Sequence, residues 1–172
     1  MMKTKKIFLL TGLFLLIMSG CSSSKNLTGD EKAINETALH EAIVKREFSI
    51  NVNRMNPLGG GSRMLTSPYS LEIKGDEVKS HLPFAGRAYN IPYGGGSGLV
   101  FNSTVTDYQS SFNAKGKAVI GFKTRSENDQ LVYRIEIYPN GSTTIDVRSN
   151  NRQSITFNGT AVVGEAEGSQ DI

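Results

Sequence analysis

From Phe48 onward, apolar and polar residues alternate with a period of two. Phe48, Ile50 and Val52 alternate with Ser49, Asn51 and Asn53. The same rhythm runs through residues 69–73, 78–82, 99–105, 108–112, 118–122, 131–137, 143–147 and 155–161. Successive side chains of a strand point to opposite faces, so this pattern predicts strands with one face buried and one in water. Turn-forming clusters separate the runs: Lys74-Gly75-Asp76, Ala114-Lys115-Gly116, Glu127-Asn128-Asp129, Pro139-Asn140-Gly141-Ser142 and Asn150-Asn151. Asn140-Gly141 tolerates the positive φ angles of a type I′ hairpin turn. Short turns make consecutive strands antiparallel neighbours.

Ahead of the strands the period is 3.6. Ile34, Ala38, Leu39, Ala42 and Ile43 form one stripe and predict a helix over residues 28–47. Thr28 and Glu31 have capping-box spacing, Asp30 adds negative charge to the first turn, and Lys45 and Arg46 suit the last. The stripe packs on the sheet or, alternatively, serves a partner. The expected fold is mainly β (α+β). An N-terminal helix packs on a curved antiparallel meander or partly closed barrel of eight or nine strands, spanning residues 29–163. Residues 164–172 (GEAEGSQDI) are acidic and poor in apolar groups, as expected of a frayed, disordered tail.

Composition sharpens the picture at the N-terminus. Of 172 residues one is cysteine, which excludes an internal disulfide framework and a Cys-cluster zinc site. Lys3, Lys5 and Lys6 precede a twelve-residue apolar run, 7–18, and then Ser19-Gly20-Cys21. Twelve residues rise about 18 Å as a helix, short of a hydrocarbon core of about 30 Å. The run therefore reads as a secretory signal over residues 1–20 rather than a transmembrane span. Met18-Ser19-Gly20-Cys21 resembles the lipobox of bacterial lipoproteins, with Met18 the less usual residue. The resemblance implies cleavage before Cys21, its acylation with palmitate-type chains, and a polar tether through residue 28. Ser22 does not resemble the aspartate of enterobacterial inner-membrane retention. No acidic pair follows the cysteine, unlike surface-exported Bacteroidetes lipoproteins. The expected location is the cell envelope, lipid-anchored at the outer membrane and facing the periplasm.

Removing the signal changes the charge. The whole chain carries a formal +3, but three lysines leave with residues 1–20, so 16 basic and 16 acidic residues remain. A neutral chain without a clustered cationic footprint excludes nucleic acid as a partner.

Two glycine-rich loops interrupt the strands, at residues 56–63 and 83–98. Loops this long inside a domain are often functional. The second contains Phe84, Arg87, Tyr89, Ile91 and Tyr93. Aromatics beside an arginine are typical of binding hot spots, which makes Phe84, Arg87, Tyr89 and Tyr93 a candidate binding loop. The same rings could instead fold back to plug one end of the sheet.

The segments 48–60 (FSINVNRMNPLGG), 67–89 and 138–159 resemble the Bacteroidetes lipoprotein family known as domain of unknown function 4251. The resemblance covers roughly residues 46–160. Residues 82–89 (LPFAGRAY) look like the family's Leu-Pro-Tyr-Phe-Gly-Arg-Ala-Tyr segment. Residues 149–155 (SNNRQSI), followed by Gly159, look like its closing motif. Phe84-Ala85 departs from the usual Tyr-Phe, so one aromatic contact is missing there. The resemblance implies a small β-rich envelope lipoprotein and no activity.

Catalytic and metal chemistry finds little footing. His40 and His81 have no second ligand at metal spacing. Neither glycine loop has phosphate-cradle spacing, and Leu99 breaks a G-x-S-x-G elbow around Ser97. Asp76, Glu77, Asp107, Glu136 and Asp146 could in principle pair for acid–base work. Glu136 and Asp146, however, alternate with apolar residues and belong on the wet face. The expectation is a non-enzymatic protein without catalytic residues, cofactor or metal. Its partners are the membrane, through Cys21, and an envelope protein, a glycan or an apolar ligand. Two functions fit: a binding or structural module acting through the 83–98 loop, or a lipocalin-like carrier holding lipid in the sheet's concave face.

Overall fold

The computed structural model describes residues 29–89, 98–126 and 129–164, with side chains from residue 36 onward. The signal segment, Cys21 and its tether, the Thr28 cap, Tyr93 and the tail beyond Gly164 lie outside the described residues. One helix, α1 (Gly29–Lys45), precedes nine strands. These are β1 (Glu47–Pro57), β2 (Arg63–Lys74), β3 (Glu77–Leu82), β4 (Leu99–Thr104) and β5 (Thr106–Phe112). They continue with β6 (Ala118–Ser126), β7 (Asp129–Ile137), β8 (Ser142–Ser149) and β9 (Ile155–Val163).

All nine form one antiparallel sheet in the order β4-β3-β2-β1-β9-β8-β7-β6-β5. Sequence neighbours pair at every step except β4 to β5, and the first strand pairs with the last, from Phe48↔Val163 to Pro57↔Ile155. The sheet thus curls into a nearly closed barrel whose opening lies between β4 and β5. Those two strands are separated only by Val105. Asp107, at φ 54°, helps bend the chain, so that one half pairs with β3 and the other with β6. Side chains stitch the opening: Ser103 Oγ donates to the Arg125 carbonyl (2.6 Å) and Thr124 Oγ1 to that of Thr104 (2.9 Å).

The alternation read from the sequence is the inside–outside pattern of the barrel. On β7, Leu131, Tyr133, Ile135 and Ile137 are buried, while Gln130, Val132 and Arg134 are exposed. The interior is filled by side chains, among them Phe48, Phe122, Tyr133 and Phe157. Tyr133 stacks on Phe122 with ring centroids 4.8 Å apart. Its hydroxyl lies 3.5 Å from Ser80 Oγ, which itself donates to the Leu99 carbonyl (2.6 Å). Burial pushes the Tyr133 phenol far above its ordinary range, so it stays neutral.

Helix α1 buries Leu39, Ala42 and Ile43 against one end of the barrel. Its stripe therefore packs on the sheet. Tyr108 Oη donates to the Ile43 carbonyl (3.2 Å), and burial raises that phenol too, against the opposing pull of Arg46. We call this the helix end; the long loops lie at the other, the loop end.

Three local expectations are revised. The first glycine loop is shorter than 56–63, because Asn56 and Pro57 stay in the ladder opposite Thr156 and Ile155. The Pro139-Asn140-Gly141 hairpin is not type I′. Gly141 N donates to the Tyr138 carbonyl (2.8 Å), and only Gly141 has positive φ (82°). Pro139 fixes its own φ near −65°, which imposes a type I turn followed by a left-handed glycine. Gly164 is not free of the domain: its carbonyl accepts from Ser49 Oγ (2.5 Å). The glycine of the closing motif also acquires a reason. Gly159 sits opposite Val52 beside a β1 bulge, and a Cβ there would collide with the Asn51 carbonyl oxygen.

Candidate functional site

The loop end brings together the two segments that resemble the family's motifs. Ser149 ends β8, and its Oγ accepts from the backbone N–H of Asn151 and of Arg152 (2.9 Å each). This serine-capped turn aims Arg152 inward. Arg152 Nη1 donates to the Gly98 carbonyl (2.7 Å), Nε lies 3.7 Å from Asp129 Oδ2, and the guanidinium covers the Phe84 ring at 5.4 Å. Ser149 Oγ donates to the same Asp129 oxygen (2.6 Å). The other carboxylate oxygen, Asp129 Oδ1, is buried without a hydrogen bond.

The backbone completes a clasp. Ala88 bridges to Arg152, Tyr89 N donates to the Asn151 carbonyl (2.7 Å), and Gln153 N donates to that of Arg87 (3.0 Å). Gln153 Oε1 accepts from Arg87 N (3.0 Å). Both stems of the 83–98 loop are thus fixed to the 149–153 turn, Phe84–Tyr89 on one side and Gly98 on the other.

This arrangement divides the four candidate residues. Phe84 is half-buried, packed on the core beneath Arg152, so it is a plug rather than a surface contact. Arg87 and Tyr89, on either side of the bridged Ala88, are both exposed; Tyr89 is 66 % exposed. Tyr93 lies outside the described residues. Asp129, Ser149, Arg152 and Gln153 were not among the candidates. The Ser-Asn-Asn-Arg run was a usable signal, but its partner Asp129 reads in sequence only as a turn residue.

The carboxylates considered for acid–base work do not meet one another. Asp76 pairs with Arg46 (2.6 Å), Asp107 with Lys123 (2.8 Å) and Asp146 with Arg148 (2.9 Å). Glu136 is held by Lys117 and Arg134, each at 3.0 Å, and hydrogen bonds from both keep its carboxyl below the usual range. His40 packs on Phe112 (4.1 Å) and His81 on Tyr69 (5.3 Å). Among the described residues no three potential ligands gather into a metal-binding group. None of the helices among them is long and apolar enough to cross a membrane.

At the helix end a groove of about 580 Å³ opens between α1 and the strand ends. Leu39, Ile43, Phe112, Ala118, Ile137 and Pro139 give it an apolar floor, with Glu36, His40 and Lys115 also lining it.

None of the curated proteins matches the chain. A DUF4251 family protein from Bacteroides eggerthii DSM 20697, known from its crystal structure, has a similar fold. The TM-score is 0.57 at 16 % sequence identity, over 77 % of this chain and 91 % of that one. The profile of the family described as Domain of unknown function (DUF4251) matches residues 30–161. With most of its length matched, strand ladder and loop-end clasp included, this chain belongs to the DUF4251 family.

Proposed function

We propose that the protein is a cell-envelope lipoprotein, anchored through acylated Cys21 and facing the periplasm from the outer membrane. It acts there as a non-catalytic binding module, contacting a protein or glycan through the loop end of its barrel. The observation carrying this reading is the clasp. It fixes the stems of the 83–98 loop to the barrel while leaving Arg87 and Tyr89 exposed side by side. A rigidly mounted aromatic–arginine pair binds without a large ordering cost. The ion-paired carboxylates support a role without acid–base chemistry.

Two experiments test the two halves of the proposal. Cys21→Ser abolishes metabolic labelling with radioactive palmitate; persistent labelling would refute the anchor. Arg87→Ala with Tyr89→Ala leaves the melting temperature within a few degrees but abolishes partner pull-down. A large fall in melting temperature would make the pair structural instead.

A carrier of apolar ligand is the second reading, and the helix-end groove favours it. Because the barrel interior is filled, a carried lipid would sit outside it, against Leu39, Ile43 and Phe112. Native mass spectrometry decides: a co-purifying lipid supports the carrier, and a bare chain mass removes it.

A further inference from the structure

Seven of the eight arginines divide into two sets; the eighth, Arg125, is exposed on β6 and forms no ion pair among the described residues. Arg46, Arg134, Arg148 and Arg152 each face a carboxylate. Arg54, Arg63 and Arg87 are all exposed, and no carboxylate pairs with them among the described residues. All three belong to the loop end. Arg54 is opposite Met64, and Met55 opposite Arg63, in the β1–β2 ladder. Arg87 is tied to Gln153, two residues from Ile155, which in turn pairs with Pro57. Leu58, Met64 and Tyr89 lie among them, 64 %, 63 % and 66 % exposed. Along the ladder from Asn56 the acid met among the described residues is Asp146, two strands from β1 and already held by Arg148 at 2.9 Å.

From this surface we infer the chemistry of the partner: the loop end docks an acidic protein surface with an apolar centre. This rests on the binding-module reading above and names the class of partner for that same site. These three cations without internal counter-charge, clustered on a chain whose 16 bases and 16 acids balance once residues 1–20 are removed, make a local positive field. Such a field steers an acidic partner and selects against a basic one. Arginine forks match carboxylates bidentately. Tyr, Met and Arg are the residue types enriched at protein–protein interfaces. Leu58 and Met64 offer aliphatic surface, which suits a protein side chain better than the hydroxyls of a sugar. The membrane bearing the anchor is a poor occupant. Strand β1, eleven residues with a contour of at most about 35 Å, runs from α1, which follows the anchor in the chain, to the loop end.

The test uses the full lipidated chain in neutral detergent. Its probes are two fluorescent polyanions: a glutamate–tyrosine copolymer for an acidic protein and polygalacturonate for an acidic glycan. Anisotropy titration is expected to show the copolymer binding more tightly, and more weakly as salt rises from about 50 to about 300 mM. Changing Arg54, Arg63 and Arg87 together to Gln weakens it about tenfold or more. Leu58→Ser with Met64→Ser weakens it further without changing the salt dependence. Arg125→Gln is the control, because this exposed arginine likewise forms no ion pair among the described residues but sits on β6, four strands from β1 in the sheet; it leaves binding unchanged. Melting temperatures of all variants confirm folding. Equal or tighter binding of polygalacturonate overturns the proposal in favour of a glycan. An equal loss in Arg125→Gln overturns it in favour of diffuse charge. If neither polymer binds, while Arg87→Ala with Tyr89→Ala still loses the native partner, the acidic-protein inference falls and the binding module stands.

Discussion

Arg46 joins α1 to β1 in a left-handed conformation, φ 60°, at a position where helices commonly place glycine. A non-glycine residue there costs about 1 kcal/mol. Two contacts offset the cost. Its Nη1 meets Asp76 at 2.6 Å, and its guanidinium covers the Tyr108 ring at 4.4 Å. The ion pair is largely exposed and contributes at most about 1 kcal/mol, and the ring contact contributes about as much. The two substitutions should therefore differ. Arg46→Ala keeps the strain and loses both contacts, so urea unfolding shows a loss of about 1–2 kcal/mol. Arg46→Gly loses the contacts but relieves the strain, and its stability stays closer to the parent chain. If Gly proves worse than Ala, strain is not what Arg46 balances.

At the scale of elements, the clasp depends on Arg152. Its side chain is 15 % exposed and Asp129's 9 %. Arg152→Ala leaves a buried carboxylate without its cation, a change that typically costs about 3–5 kcal/mol. It also releases Gly98 and uncovers Phe84. The expected outcome is a lowered melting temperature together with new proteolytic cleavage within 83–98. Cleavage there without any fall in melting temperature would show a clasp that positions the loop but adds nothing to the barrel.

The elements themselves were largely legible, because a barrel wall with one wet face writes its inside–outside rule into every second residue. The helix was legible from Leu39, Ala42 and Ile43 for the same reason at a different period. What was not legible depends on contacts distant in sequence. Asn56 and Pro57 read as loop until β9 supplies a partner. Phe84 reads like Tyr89, an aromatic in a loop, until Arg152 covers one and solvent meets the other. Asp129 becomes part of the site only because the β7–β8 ladder, with Leu131 opposite Ser149, sets it beside Ser149 and Arg152. Tripeptide chemistry can suggest a turn at Asn140-Gly141, but Pro139 decides its type.

For the whole molecule, the pairing of first strand with last determines when the protein can become stable. β1 emerges early from any chain-making or chain-translocating process, yet its partner spans Ile155–Val163, about a hundred residues later. Until that segment arrives, β1 presents a bare edge along most of its length, and so does β8. A chain ending at residue 154 is therefore expected to elute as aggregate in size-exclusion chromatography, whereas one ending at residue 164 stays monodisperse. A monodisperse, cooperatively melting shorter chain would show that closure is dispensable. Contacts between chain ends are slow to form, because a long loop must be ordered before they repay it. The barrel thus completes only after its last strand is free to join, and a slow folder with open edges is a natural client for a chaperone in the interval.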